Sequence, residues 1–496
     1  MSEASPGRAD DALSRGETLL PWVLAALLIA IAAAMAAITL ELNAPLELLF
    51  LLPIAVAGAA MLFWSTRATL FFVAFAIFPF GIIQREVMSV TISLAEALIL
   101  FLFVKEALRM FLTGERPSAA VPWIPLLLYA FASIITIGTG IMRGNEPAGV
   151  LQDFRQFTEY ITLFLLVTHR ITNRRDILLI LGCFVLGGVI VGAHGILQRY
   201  TGIGIPGTQV MSDLVYHGAL RSGSFYGSTP LGAIMVLCLG PTIGLMLTLK
   251  SRMLQGILAS FVVILVIAAV FTNTRASWVA IAILLLFVFL AVRKSSAMIT
   301  VSVVGALIFA AALGPTVAQR MATLEVSRSE RSLLERVQYY TTARHIFAEH
   351  PMLGLGWGSY YSMNDILVND RFVPRDPVTR PGHIFVEPVT VHSAYLQLLV
   401  KGGLLILGAF ALFLMRWLFM IAAECRTRPK DERDHNLFIG VSAALVGYLF
   451  HSGVENFFQW PVMAQSFWLL MGLSFLMGHN LIRHGRIDGP ATNHAP

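Results

Sequence analysis

Long apolar runs, cut by short polar or basic links, recur along the whole chain. A helix that crosses the hydrocarbon of a bilayer needs about 20 mostly apolar residues. By that measure fourteen segments qualify, near 19–40, 46–64, 68–84, 91–112, 121–141, 156–168, 177–197, 228–249, 253–272, 276–292, 297–314, 392–420, 436–457 and 462–482. The third, sixth and tenth are short, so the pattern predicts an all-α fold, a polytopic membrane helical bundle of about 12–14 transmembrane helices. One long polar interval breaks the rhythm, residues 315–391. Within it, 328–350 place Leu333, Leu334, Val337, Tyr340, Ile346 and Phe347 at helical spacing, which predicts an amphipathic helix. Pro351 should end it, because the residue before a proline is pushed out of the α region. A glycine-rich turn around Trp357 follows, "GLGWGSYY". The Pro- and Arg-rich stretch 369–390 then reads as a lid or an open loop.

Composition removes the water-soluble alternative. Hydrophobic residues make up 57% of the chain and charged residues 13%, against about 25% charged in a soluble domain. Such a chain is stable where lipid solvates its outside and backbone polar groups pair internally. Cys183 and Cys238 lie in apolar runs and Cys425 in a basic loop, so no disulfide framework is expected. There is no Cys-x-x-Cys or His/Cys cluster of metal-site spacing. The net charge of +6 comes from short basic runs between apolar segments, a topology signal and not a nucleic-acid footprint.

With the N-terminus in the cytoplasm, 20 of the 35 Lys and Arg fall in cytoplasmic links, eight fall in 315–391 and seven on the other face. That asymmetry sets the organisation. A cytoplasmic tail spans 1–18 and a membrane domain of eleven spans covers 19–314. The loop 315–391 lies on the extracytoplasmic face. Three further spans occupy 392–482, and 483–496 form a cytoplasmic tail. The first apolar run reads as an uncleaved anchor.

Three side chains share the extracytoplasmic face. Arg221 precedes the eighth span in "ALRSGSFYGSTPLG". Arg275 sits in the tight link "FTNTRASWVA". His392 opens the twelfth span, with Tyr395 close by. A cation held at membrane depth costs about 2.5–3.5 kcal/mol on insertion scales and so has a partner or a task. Arg275 either snorkels to lipid phosphate or clamps an anion with its forked guanidinium. Arg221 either holds a turn or does the same. His392 is either a helix-cap histidine or a base. Taken together they suit a reaction at a diphosphate, with the arginines neutralising charge on the leaving group and the histidine accepting a proton. No Asp-x-Asp or other acidic cluster is present, so no divalent ion and no cofactor are expected. Glu455 is the expected partner of His451, one helical turn away. His194 is expected to bond a neighbouring helix. Arg336 and Arg344 read first as solvated.

At these residues the chain resembles the O-antigen ligase and O-antigen polymerase superfamily of bacterial envelope enzymes. "RSGSFYGSTPLG", "TNTRASW", "ERVQYYTTARHIFAEHPMLGLGWGSYY" and "HSAYLQLLVKGGLLILG" are similar to its motifs, in order, from about 220 to 410. The family often has Asn after the histidine, where this chain has Ser393. The resemblance implies a metal-independent, inverting glycosyltransferase of the bacterial inner membrane with its site facing the periplasm. It implies a donor glycan on undecaprenyl diphosphate and an acceptor that is either lipid A-core or another lipid-linked glycan. The diphosphate-binding arginines would fall on Arg221 and Arg275 and the essential histidine on His392, with Arg336 and Tyr395 as further substrate-binding candidates. A reading of another class stays open, a transporter or flippase for a lipid-linked anion. Glu96, Glu159 and His194, placed within apolar segments, favour it.

Overall fold

The structure, a computed structural model, describes residues 66–79, 84–87, 90–145, 147–155, 160–201, 215–216, 219–220, 222–224, 226–292, 340, 343–358, 392–427 and 432–484. The predicted runs 19–40, 46–64 and 297–314, both tails and most of 315–391 lie outside these residues. Two compact units divide between Val73 and Ala74. Of the first, only the opening of helix α1 (Thr66–Ala76) is described.

The rest follows the apolar rhythm closely. Helix α2 spans Leu94–Thr113, α3 Trp123–Met142, α4 Pro147–Phe154 and α5 Ile161–Arg170. Helix α6 spans Arg174–Thr201, α7 Ser228–Thr248, α8 Arg252–Phe271 and α9 Arg275–Ala291. Helix α10 runs over Ala394–Thr427, α11 over Glu432–Ser452 and α12 over Pro461–His484. Among the described residues six helices, α3, α6, α7, α8, α10 and α12, are long and apolar enough to cross a membrane. The protein is an integral membrane helical bundle.

The third predicted run stops early. Helix α1 ends at Ala76, before Pro79 and Gly81, which cannot extend it smoothly. Gln84–Val87 then pairs antiparallel with Val90–Ser93 as hairpin β1–β2. A second small hairpin, Val215–Tyr216 with Ala219–Leu220 (β3–β4), precedes α7. In the predicted amphipathic segment residues 343–349 are helical and stop at His350-Pro351 as expected. Ile346 is buried there beside Ala343, Leu355 and Val400, whereas Tyr340 lies off the buried face.

Helix α7 is the centre of the bundle: 94% of its apolar window is buried, against 33% for α3 and α8, which face outward. Helices α6, α8, α9 and α11 surround it. Its tightest neighbour is α11. A Cβ at Gly240 would fall 2.3 Å from the Gly440 carbonyl oxygen. Lipid tails give apolar helices no hydrophobic drive to associate, so close backbone approach through small residues supplies packing energy instead. Helix α12 closes a second layer with α5 and α10 through aromatic rings, Trp468 lying 5.3 Å from Phe413 and 5.9 Å from Phe164.

The apolar pattern does not show that α10 is broken. Gly403 has φ +62° and ψ −157°, a region open essentially to glycine alone. Breaking a helix orphans carbonyls before the gap and N–H groups after it. The glycine-rich loop supplies partners for both. Leu355 N donates to Val400 O (2.8 Å) and Gly356 N to Lys401 O (2.7 Å). Leu404 N donates to Pro351 O (2.8 Å) and Leu405 N to Met352 O (3.2 Å). The loop backbone is thus spliced into the helix. Its other side locks to α3: Trp357 N donates to Thr136 O (3.1 Å) and Trp357 Nε1 to Ser133 O (3.0 Å). Asn145 Nδ2 donates to the Leu355 and Trp357 carbonyls at 3.1 and 2.9 Å. A Cβ at Gly356, where φ is +86°, would sit 2.1 Å from Gly140 N. At the loop's start the Arg143 guanidinium lies 3.1 Å from each ring nitrogen of His350.

Gly403→Ala should lower stability by about 1–3 kcal/mol from backbone strain alone, and further because its Cβ would meet the Met352 carbonyl carbon at 2.3 Å. Thermal unfolding of the detergent-solubilised protein measures this. The loop should also loosen with acid. Burial and the Arg143 charge hold His350 below its ordinary value of 6.5. The unfolded chain therefore binds the extra proton first, so stability is whole above pH ~6.5 and falls as pH drops toward the lowered folded value. Melting temperature should decline between pH ~7 and ~5, and His350→Gln should flatten that slope.

Candidate functional site

One end of the bundle gathers the starts of α7, α9, α10 and α12 and the ends of α6, α8 and α11. A Cβ at Gly232, in the first turns of α7, would meet Ser277 Oγ of α9. Near the end of α11, Gly447 abuts the Ala280 carbonyl of α9 and Gly453 abuts the Tyr395 ring. Ser222 N donates to Phe271 O at the end of α8 (2.9 Å). Arg275 and His392, 117 positions apart in sequence, therefore stand at the same end. Arg221 and Arg336 lie outside the described residues. The opposite end holds the basic links: Arg170 pairs with Glu106, Arg174 Nε with Asp434 (2.6 Å) and His435 Nδ1 with Glu424 (2.7 Å).

His392 stands at the head of α10. Ser393 caps the helix, its hydroxyl accepting from Leu396 N at 3.4 Å and its carbonyl from Gln397 N at 2.9 Å. Ser and Asn are comparable N-caps, so the departure from the family's Asn leaves the helix start intact. The imidazole Nδ1 lies 2.8 Å from Glu455 Oε1, with the histidine side chain 36% exposed and the glutamate 19%. With Nδ1 donating to that carboxylate, Nε2 is the atom left to accept a proton. This corrects the pairing expected from sequence. Glu455 turns to His392, not to His451, because the chain reverses after α11 and carries it back across the bundle end. His451 is buried instead, its ring centroid 4.6 Å from that of Phe457 in an edge-on arrangement. The Tyr395 hydroxyl donates to Leu449 O (2.7 Å), tying the head of α10 to the end of α11.

The stretch just after Arg221 is held on α6. Gln198 Oε1 accepts from Gly223 N (3.1 Å) and Ser224 N (2.8 Å). Ser224 Oγ donates to Val191 O (2.9 Å) and lies 3.0 Å from His194 Nδ1. His194 thus meets the Ser224 hydroxyl of the loop before α7. The Tyr226 hydroxyl donates to the Phe78 carbonyl.

Among the described residues at or near this end, four cations have these protein contacts. Arg143 lies on His350, Arg155 is 4.0 Å from Glu96 and Arg199 sits 5.0 Å over the Phe271 ring. Lys401, 1% exposed, donates to Asp153 Oδ2 at 2.5 Å. The same oxygen accepts from Gly358 N at 2.7 Å. Arg275 is exposed on the first turn of α9. Sequence reasoning passed over Asp153 and Lys401 and gave Glu455 to His451. Lys401 was detectable, as a cation inside the apolar run "YLQLLVKGGLLILG". Asp153 carries no such local signal, and the local signal at Glu455 points to His451.

Among the described residues no three His, Cys, Asp or Glu side chains gather as metal ligands would. The arrangement offers a histidine oriented by a carboxylate, and a guanidinium at the same end of the bundle for an anion. No curated protein matches the chain. Residues 260–414, which include Arg275, Arg336, His392 and Tyr395 and make up about a third of the chain, match the family described as O-antigen ligase.

Proposed function

We propose that the chain is an inverting glycosyltransferase that moves a glycan from undecaprenyl diphosphate to an acceptor sugar hydroxyl at the extracytoplasmic end of the bundle. The acceptor hydroxyl gives its proton to His392 Nε2 as its oxygen attacks the anomeric carbon. The bond from that carbon to the diphosphate oxygen breaks on the opposite face. Glu455 holds the ring and stabilises the imidazolium that forms. Arg275, with Arg221 as its expected companion, takes up the charge that grows on the diphosphate. The starts of α7 and α9, neither capped by a side chain, add partial positive charge at the same end. Arg336 and Tyr395 remain candidates for holding substrate, Tyr395 through its ring edge since its hydroxyl is engaged. The observation that carries this reading is the His392–Glu455 pair at the head of α10, on the same end as Arg275.

Ligase and polymerase are variants of one chemistry, differing in whether the acceptor is lipid A-core or another lipid-linked glycan. The ligase form matches the family description. The broken helix α10 favours a second reading, transport of the lipid-linked anion, because transporters place substrate at such breaks. Here, however, the break is filled by the 351–356 backbone, and Glu96 is committed to the Tyr160 hydroxyl at 2.5 Å.

Reconstitution with purified lipid-linked glycan tests the reading. Product on lipid A-core indicates a ligase and a ladder of lengthened lipid-linked chains a polymerase. Translocated donor without a new glycosidic bond would refute glycosyl transfer. His392→Ala should lower kcat by about 10²–10⁴-fold, and Glu455→Gln should lower it by less. Arg275→Lys keeps charge but loses the fork, so its activity should drop as well; a wild-type rate would remove the clamp.

A further inference from the structure

We infer that the buried Lys401–Asp153 pair is a positioning device for His392, one that aims the imidazole from within the membrane without touching substrate. The inference rests on the glycosyl-transfer reading for its kinetic consequence, though not for its geometry.

The break at Gly403 makes residues 394–402 a half-helix of its own. His392 and its cap Ser393 stand at one end and Lys401 near the other. At about 1.5 Å of rise per residue the two ends are ~13 Å apart, so a tilt of ~10° about Lys401 would move His392 by ~2 Å. Misplacement of a reacting group by about 1 Å can cost ~10²-fold in rate. The half-helix therefore has to be held at its inner end, and the break removes the ordinary means of holding it, continuity with the rest of α10.

Three contacts replace that continuity. The loop splice fixes the Val400 and Lys401 carbonyls. The Tyr395 hydroxyl fixes the outer end to Leu449. Lys401 fixes the inner end to α4 through Asp153, in a pair of which the lysine is 1% exposed. Asp153 Oδ2 also accepts from Gly358 N, so one carboxylate holds the half-helix and the end of the glycine-rich loop together. The mechanism uses neither side chain. A charged pair so enclosed is a costly way to gain mere stability, since apolar residues of the same volume commonly do as well. What the pair adds is direction: a short ionic contact specifies one rotation of the half-helix, where apolar packing accepts several.

The test keeps the fold and removes the charge. Asp153→Asn/Lys401→Met leaves an acceptor for Gly358 N and buries no lone charge. Lys401→Gln, which keeps a donor toward Asp153, is the second variant. Each is read three ways in the full-length protein: melting temperature, kcat and KM for purified lipid-linked glycan, and the ring N–H resonance of His392 in [15N]histidine-labelled protein, assigned by its loss in His392→Ala. The expected result is a folded protein with KM within ~2-fold of wild type, kcat lower by about 10- to 100-fold and the His392 resonance shifted or broadened. A folded variant with an unmoved resonance and wild-type kcat would overturn the inference. So would failure of both variants to fold, which would make the pair a folding determinant. If the wild-type protein transfers no glycan, the glycosyl-transfer reading fails, while the His392 resonance still decides whether the pair sets the ring.

Discussion

A membrane supplies no water to satisfy an interrupted helix, so every break must be repaired by protein. In this chain that constraint acts at Gly403, and the repair organises the half of the bundle that carries His392. Two carbonyls before the break and two N–H groups after it are met by residues 351–356. For the loop to lie that close, glycine must stand at 354, 356 and 403. For the loop to stay, its far side must also be anchored, and Thr136, Ser133 and Asn145 supply the bonds. The glycine-rich motif is thus less a flexible connection than a piece of backbone shaped to fit a gap.

The same constraint sorts the charges. At the end opposite His392, Arg170 and Arg174 pair with the buried carboxylates Glu106 of α2 and Asp434 of α11. Among the described residues of the other half, four cations touch protein groups. Arg143 props the loop, Arg155 lies by Glu96, Arg199 covers an aromatic ring and Lys401 binds Asp153. Arg275 stands exposed on the opening turn of α9, at the end of the bundle that carries His392. Its placement gives the family resemblance a physical footing independent of motif similarity.

Much of the bundle could be read from apolar run length, because run length is what lipid tests. Helices α3, α6, α7, α8, α9 and α12 fall close to their predicted bounds. The failures have a common cause. The apolar content of 68–84 and of 392–420 gave no warning that α1 stops at Ala76 or that α10 is broken, since interruption depends on glycine or proline and on distant partners. The site was legible in part for the same reason. His392 and Arg275 stand out as polar residues against apolar surroundings. Glu455 sits four residues from His451, so local helical spacing assigned it there; only the reversal of chain after Ser452 brings it to His392. Asp153 finds Lys401 across 248 positions, a pairing that no period along the chain encodes.

Continuity and interruption answer different needs in α10. A continuous helix from Ala394 to Thr427 would bind the orientation of His392 to the tilt of the whole span, which packing against α3 and α12 determines for other reasons. Interruption at Gly403 frees the outer nine residues from that tilt and hands their orientation to local contacts: the splice, the Tyr395 hydroxyl and the buried ion pair. Rigidity is then regained where it is needed. Each of those contacts reaches a different element, the loop, α11 and α4, so together they restrain the half-helix in more than one direction. In the proposed reaction His392 would have to meet an acceptor hydroxyl within hydrogen-bond distance, and contacts to three separate elements are a means of fixing the imidazole for that task.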